Sequence, residues 1–349
     1  MLEFWRDKKV LVTGNTGFKG TWLTTTLLEF GAHVTGLSLP ICEANAFWSS
    51  MEFEKFVVTH EIDLSEPVNL GSLVEDLKPD IVFHLAAQPL VRASYADPVY
   101  SWKVNVIGTA ALLDAVRHLT NRCSVVVVTT DKVYENNSSQ KVFSEFDPLG
   151  GHDPYSASKA ATELLASSMK RSFYDKLDNL SVATARAGNV IGGGDWSVDR
   201  LVPDIARAKF LNLPLKLRNP QHKRPWQHVL EPINGYLLLA QSLYENELQE
   251  STFNFGPEHE SVETTINLLK KFQEYWHLTI NLDDAKDSMH EASELALCSK
   301  KAKKHLNYCA RWDLNKTVEK TVNWYDNVAY DSHQSRSITA QQVKEFFQA

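Results

Sequence analysis

Five side chains in two short stretches could do acid–base chemistry together: Thr130, Asp131 and Lys132 in one, Tyr155 and Lys159 in the other. Tyr155 and Lys159 are four residues apart, so on a helix they share one face. A free phenol, with a pKa of about 10, is a poor base at neutral pH. A nearby ammonium, or the positive ring of an oxidised nicotinamide, favours the phenolate. The pair could then take a hydroxyl proton while hydride leaves the same carbon. A plain alcohol dehydrogenase needs no more than that. The extra carboxylate and amine at Asp131 and Lys132 imply a second reaction after the oxidation, so the residues favour a lyase with an internal redox cycle. Tyr-x-x-x-Lys recurs by chance in many chains. Its weight here comes from an apolar strand ending at Thr129–Lys132 and from a glycine loop upstream.

That loop carries Gly14, Gly17 and Gly20 in a G-x-x-G-x-x-G spacing. It follows the apolar run Val10–Thr13 and opens a helical pattern through Trp22, Leu23, Leu27, Leu28 and Phe30. Glycine there lets the backbone turn sharply and approach a pyrophosphate at the helix N-terminus. Thr16, Phe18 and Lys19 belong to the same loop; Lys19 could face a phosphate or stand solvated on the first helical turn. The second strand ends in Leu37-Ser38-Leu39-Pro40, without the carboxylate that usually holds a ribose 2′-hydroxyl and without a nearby arginine. Spacing therefore leaves NAD versus NADP open. Ser38 could bond the ribose or simply shape a turn.

Strands and helices must alternate to position these groups. Strand-type runs appear at Val10–Thr13, His33–Leu37, Phe56–Thr59, Asp80–Leu85, Ser124–Thr130 and Leu180–Ala185. Helical patterns fall between them, notably after Pro98 and across Asp153–Phe173. The run Ser124–Thr130 is almost wholly apolar, as in the buried centre of a parallel sheet. The fold class expected is α/β, a doubly wound parallel Rossmann sheet with ligands at the strands' carboxyl ends. Beyond about residue 190 the rhythm loosens into glycines and scattered prolines. Residues 1–190 are read as a nucleotide-binding domain, and 191–349 as mainly a smaller α/β substrate lobe whose chain could re-enter the sheet.

Composition agrees with a globular chain: 349 residues, 43% hydrophobic and 23% charged. A net charge of −7 argues against a nucleic-acid or anionic-membrane surface. Met1–Lys9 has no apolar core of a signal peptide, and no run reaches the roughly 18 residues of a membrane span. Cys42, Cys123, Cys298 and Cys309 are scattered, so no metal site is expected and reduced, structural thiols in the cytoplasm are. His84, in an apolar strand, reads as a core histidine.

The chain resembles the extended short-chain dehydrogenase/reductase family from Lys9 to about Tyr325, and within it the sugar-nucleotide 4,6-dehydratases. The resemblance rests on Thr16–Trp22, His84–Arg92, Thr130–Lys132, Arg186–Trp196 and Arg224–Val229. These segments are most similar to the subgroup acting on CDP-glucose. Relatives acting on TDP-glucose usually have Glu where this chain has Lys132. Val133 and the segment 135–140 stand where the family varies.

The resemblance implies NAD as cofactor, with Asp63 and Leu64 near the adenine, Leu85, Ala86 and Ala87 beside the cofactor, and Asn105 holding active-site backbone or water. Each has an ordinary alternative: a strand-end cap, small packing residues, an internal asparagine. It implies Gln88, Asn189, Arg224 and His228 as the nucleotide-sugar pocket, although His228 could equally pack beside Trp226. Arginine suits a diphosphate because its fork donates in pairs. Tyr155, aided by Lys159 and Thr130, would take the C4 hydroxyl proton. Asp131 would protonate the departing C6 hydroxyl, and Lys132 would be the C5 base or a stabiliser of the enolate. A 4-epimerase, a dehydratase for another nucleotide sugar, and a silent NAD(H) sensor are the competing readings. The complete Tyr/Lys/Thr set speaks against the last. A homodimer or homotetramer paired through two long helices, and a place in deoxysugar synthesis for surface polysaccharide such as O-antigen, are further implications.

Overall fold

The computed structural model describes residues 2–42, 45–136, 141–248, 250–257, 262–282 and 294–348. Part of the variable segment named above, residues 137–140, lies outside them. Seven parallel strands form the central sheet: β1 Lys9–Thr13, β2 His33–Ser38, β3 Val58–Glu61, β4 Ile81–His84, β5 Cys123–Val128, β6 Leu180–Ala187 and β7 Thr252–Phe255. Their spatial order is β7-β6-β5-β4-β1-β2-β3. The order reverses at β1, and that switch point leaves a crevice at the carboxyl ends for a ligand.

The helices that place the candidate site are α1 Phe18–Glu29, α2 Leu70–Leu77, α3 Pro98–Trp102, α4 Gly108–Val116, α5 Pro154–Ser172, α6 Leu230–Tyr244 and α7 Ser335–Gln348. Between α3 and α4 the turn Lys103–Ile107 is a π-helix. Alternation along the strands splits the core into two layers. Val10, Val12, Phe83 and Val126 pack with Trp22, Leu23 and Leu27 of α1 and Ile233 and Leu237 of α6. Leu11, Val82, Val125 and Val127 pack with Leu70 and Val74 of α2 and Leu112 and Val116 of α4. All six residues of β5 are buried, which is why its sequence is apolar without alternation.

One detail departs from the sequence reading. The third strand begins at Val58 and not at Phe56, because Phe53–Lys55 forms a 3₁₀ turn and Phe56 lies under the Arg336 guanidinium, 4.1 Å from its ring centre. β7 comes from the loosely patterned second half and pairs with β6 from Thr252↔Thr184 to Phe255↔Ala187. No helix among the described residues is long and apolar enough to cross a membrane.

Candidate active site

Helix α5 starts where sequence says it should. Asp153 caps it, its carboxylate accepting the Ser156 N–H at 2.9 Å, and Pro154 occupies the first turn. This fixes Tyr155 and Lys159 one turn apart on the buried face. The Lys159 ammonium donates to the carbonyl of Val128, the last residue of β5, at 3.1 Å. The helix and the central strand are thus joined at the point where chemistry is expected.

Beyond β5 the chain leaves the sheet through Thr129 and Thr130 into the 3₁₀ turn Asp131–Val133. Thr130 Oγ1 donates to Asp131 Oδ1 at 2.9 Å. Asp131 is 1% exposed, and its Oδ2 has no partner. A buried carboxylate oxygen left open at a cavity wall is free to meet a ligand hydroxyl. The cavity, about 430 Å³, is lined by Thr130, Asp131, Lys132 and Tyr155 together with Asn189, Arg200, Arg224 and Trp226.

Burial governs the electrostatics. The Tyr155 phenol is pushed up to about 12, first by burial, with a hydrogen bond to Thr130 pulling the other way and the Asp131 charge pushing further up. Lys159 comes down to about 8 by burial, with the Lys19 charge adding to this and Glu163 opposing it. Lys19 comes down to about 8 for the same first reason, then through Arg200. Lys19 lines the cavity and so sits among active-site charges, not on a solvated helical turn.

The glycine loop shows why its residues are small. Gly14 has a φ of +72°, and a Cβ there would meet the backbone of Ala86 at 2.8 Å. A Cβ on Gly20 would meet the Gly14 carbonyl at 2.1 Å. Above Gly17, by contrast, a Cβ would meet nothing nearer than that carbonyl at 3.4 Å, so the loop is an open cradle at the start of α1. Ala86 also donates its N–H to Thr13 Oγ1, which fixes Leu85–Ala87 alongside the loop. Phe18 is half-buried on the first turn of α1. Thr16 and Ser38 bond each other at 2.5 Å, and Asn45 Nδ2 donates to the carbonyl and hydroxyl of Thr16. Asp63 accepts the Ser65 N–H at 2.7 Å, and Leu64 is buried against Gly108.

Three candidates prove to act on the protein itself. Asn105, in the π turn, accepts the Gln88 N–H at 2.8 Å and donates to Ser158 Oγ at 2.9 Å and the Gln88 carbonyl at 3.2 Å. Gln88 does not line the cavity. Its amide is spent on its own loop and on α3, donating to the Leu90 carbonyl and to Ser101 and accepting the Leu90 N–H. His228 is corrected most clearly: it is fully buried, edge-on to Trp22 and Trp312 with ring centres 5.4 and 4.8 Å away, and absent from the cavity wall. Burial drives its pKa down to about 3, so it is a neutral core residue. His84 is likewise internal, its two ring nitrogens bonded to Thr13 and Thr109.

Sequence reasoning missed Arg200, which faces the cavity and pairs with Asp195 at 3.1 Å. It also missed Glu163, though three residues at 155, 159 and 163 recur at helical spacing.

Comparison with known proteins fits this arrangement. Residues 11–321 match the family model described as GDP-mannose 4,6 dehydratase. A CDP-glucose 4,6-dehydratase of Salmonella typhimurium is 41% identical over 329 residues, 93% of this chain and 92% of that protein. Among solved structures, an epimerase of Methanothermobacter thermautotrophicus superposes with a TM-score of 0.80 at 20% identity, covering 96% of each chain. The dTDP-glucose 4,6-dehydratase of Bacillus anthracis, solved with NAD, gives 0.74 at 19% identity, covering 91% of this chain and 96% of that one. These structures share the fold. With the family model spanning most of its length and a relative of near-equal extent, the chain belongs to the GDP-mannose 4,6-dehydratase family of nucleotide-sugar dehydratases and epimerases.

Proposed function

We propose that the protein is a lyase converting CDP-glucose to CDP-4-dehydro-6-deoxyglucose and water, with NAD as its cofactor. The observation that carries this reading is one cavity reached from two sides: Tyr155 from α5, with Lys159 behind it, and Thr130, Asp131 and Lys132 from the end of β5. The Salmonella relative supports the substrate, and the NAD-bound Bacillus dehydratase supports the cofactor.

The open cradle above Gly17 fits a pyrophosphate. Gly14, Thr16, Gly17, Phe18 and Gly20 would hold it, Ser38, Asp63 and Leu64 the adenosine, and Leu85, Ala86 and Ala87 the flank. Tyr155 and Lys159 would meet the nicotinamide ribose, while Asn105 acts through the Gln88 backbone. When bound, NAD supplies a hydride acceptor at C4, the hydride for C6 and a positive ring that favours the phenolate.

Tyr155 takes the C4 hydroxyl proton, with Thr130 bonded to it. The resulting 4-ketone acidifies the C5 proton. Asp131, with its open Oδ2, gives a proton to the leaving C6 hydroxyl, and Lys132 removes the C5 proton or steadies the enolate that forms. Asn189 and Arg224 face the nucleotide sugar, Arg224 toward its diphosphate.

The reading extends to assembly and location. A homodimer or homotetramer formed through α3, α5 and the π turn before α4 is supported by large apolar side chains left exposed there: Val99, Trp102, Ile107 and Leu164. A cytoplasmic place in deoxysugar supply for surface polysaccharide, including O-antigen, follows from the proposed product. The test is incubation with NAD+ and CDP-, TDP-, UDP- or GDP-glucose in D2O. Loss of one water and deuterium at C5 with CDP-glucose alone supports reaction and substrate together. Dehydration of a different nucleotide corrects the base, and no product from any of them overturns the reading.

A further inference from the structure

The strongest unassigned feature is a charged pair in the interior. Glu163 and Arg186 are each 3% exposed, joined at 2.8 Å from Arg186 Nη2 to Glu163 Oε2. Burying two charges is costly, and an isolated pair often adds little to stability. What this pair touches is therefore informative.

Glu163 lies on α5 one turn beyond Lys159 and two beyond Tyr155. Its Oε1 accepts the hydroxyl of Thr129, the residue just before Thr130. Its Oε2 also accepts Thr184 Oγ1 of β6 at 2.7 Å. Arg186, also on β6, sends Nη1 to the hydroxyl of Tyr134 at 2.8 Å, two residues beyond Lys132. Tyr134 OH in turn donates to Asn254 Oδ1 of β7 at 2.7 Å, and its ring stacks on Phe143 with centres 4.9 Å apart. The segment 129–134 is thus gripped at both ends by the two members of one ion pair.

Between the grips the turn is weakly tied to itself. Its internal bonds from main-chain N–H groups, Lys132 N–H to Thr130 Oγ1 and Val133 N–H to the Thr130 carbonyl, are both 3.4 Å, and the bond of Thr130 Oγ1 to Asp131 Oδ1 joins only two side chains. Main-chain bonds do hold its ends, Thr129 N–H to the Ala185 carbonyl at 2.9 Å and Gly150 N–H to the Val133 carbonyl at 2.8 Å. They bind the segment to β6 and a loop. From α5, Tyr155 meets the segment at Thr130 and Glu163 meets it at Thr129.

We propose that Glu163 and Arg186 are positioning residues that set the acid–base segment Thr130–Lys132 against the Tyr155/Lys159 helix. This rests on the proposed dehydratase reaction. Tyr155 and Lys159 are carried by the capped helix and by Val128, whereas Asp131 and Lys132 depend on the grip. Loosening it should therefore slow elimination more than oxidation at C4.

Tyr134→Phe tests this with the ring stack and the ion pair retained. Displacing a reacting group by about 1 Å can cost roughly a hundredfold. Loss of this one hydroxyl link should lower turnover by about tenfold with KM for CDP-glucose changed by less than about twofold. On mixing with substrate, the near-ultraviolet absorbance of reduced nicotinamide should rise at close to the wild-type rate and then persist, because water leaves slowly. Melting temperature should fall by about a few degrees, because Arg186 Nη1 and Asn254 Oδ1 each lose a partner, and the variant stays folded at assay temperature. Glu163→Gln, which loosens the Thr129 end, should show the same signature more strongly in whatever fraction folds. The proposal is overturned if Tyr134→Phe turns over like wild type, or if oxidation and elimination slow equally. Absence of dehydration by the wild-type protein would instead sink the reaction on which it rests.

Discussion

Replacing Glu231 with glutamine should flatten the dependence of stability on pH. Glu231 sits in the first turn of α6, 1% exposed, where Oε1 accepts the N–H of Trp312 at 2.8 Å and of Arg311 at 3.0 Å. Burial raises its carboxyl from 4.5 to about 7, with the N–H bonds of Trp312 and Arg311 pulling back. A carboxyl raised on folding binds its proton more tightly in the native state. Stability must then fall as pH rises from about 4.5 to about 7, and level off above. The span of roughly 2.5 units, at about 1.4 kcal/mol each, sets a ceiling of about 3 kcal/mol. The positive end of α6 favours the carboxylate, so about 2 kcal/mol is the better expectation. In a chain of this length that is a shift of about 4 °C. Melting followed by circular dichroism at pH 5 and pH 8 reads the difference between the two proteins, which removes the contribution of every other group. Glutamine keeps an acceptor for Trp312 and cannot ionise. The two should melt close together at pH 5, and the variant should be higher at pH 8. Parallel curves would mean that Glu231 stays ionised in the fold and that the argument from burial is wrong.

Lys132→Met should leave oxidation at C4 and the signal of reduced nicotinamide intact while elimination falls by roughly 10²-fold or more, read by rapid mixing and by C5 exchange in D2O; unchanged turnover removes Lys132 from the mechanism. Gly20→Ala places a methyl 2.1 Å from the Gly14 carbonyl and must shift the loop. NAD affinity measured by calorimetry should fall by about tenfold or more, an estimate equivalent to about 1.4 kcal/mol, and equal affinity would show that the loop is not the cradle. Leu164→Arg puts a charge on a residue 63% exposed on α5. Sedimentation should then report a smaller assembly than the wild type, and an unchanged mass would place the subunit contact elsewhere.

What could be read from sequence is what chemistry fixes over a short stretch. Tyr155 and Lys159 are legible because four residues make one helical turn, and Asp153-Pro154 announces the start of that turn. The apolar run of β5 reveals a central strand because burial on both faces removes the alternation. Gly14 and Gly20 are legible because close backbone contacts tolerate no Cβ. Roles set by distant packing are another matter. Gln88 and His228 sit in segments shared with the family, yet one amide is consumed by Leu90 and Ser101 and one imidazole by Trp22 and Trp312. Leu90 is near Gln88 in sequence, but nothing within a few residues of either side chain records Ser101, Trp22 or Trp312. Arg200 escaped for the same reason, since its place on the cavity wall depends on how the chain returns after β6. Glu163 lies between the two cases: its spacing from Lys159 was visible, but its meaning needed Arg186 on β6 and Thr129 after β5 to arrive from elsewhere. The chain thus writes its reacting groups locally and their alignment non-locally. Substitutions that spare every motif should therefore still be able to uncouple the two halves of the reaction.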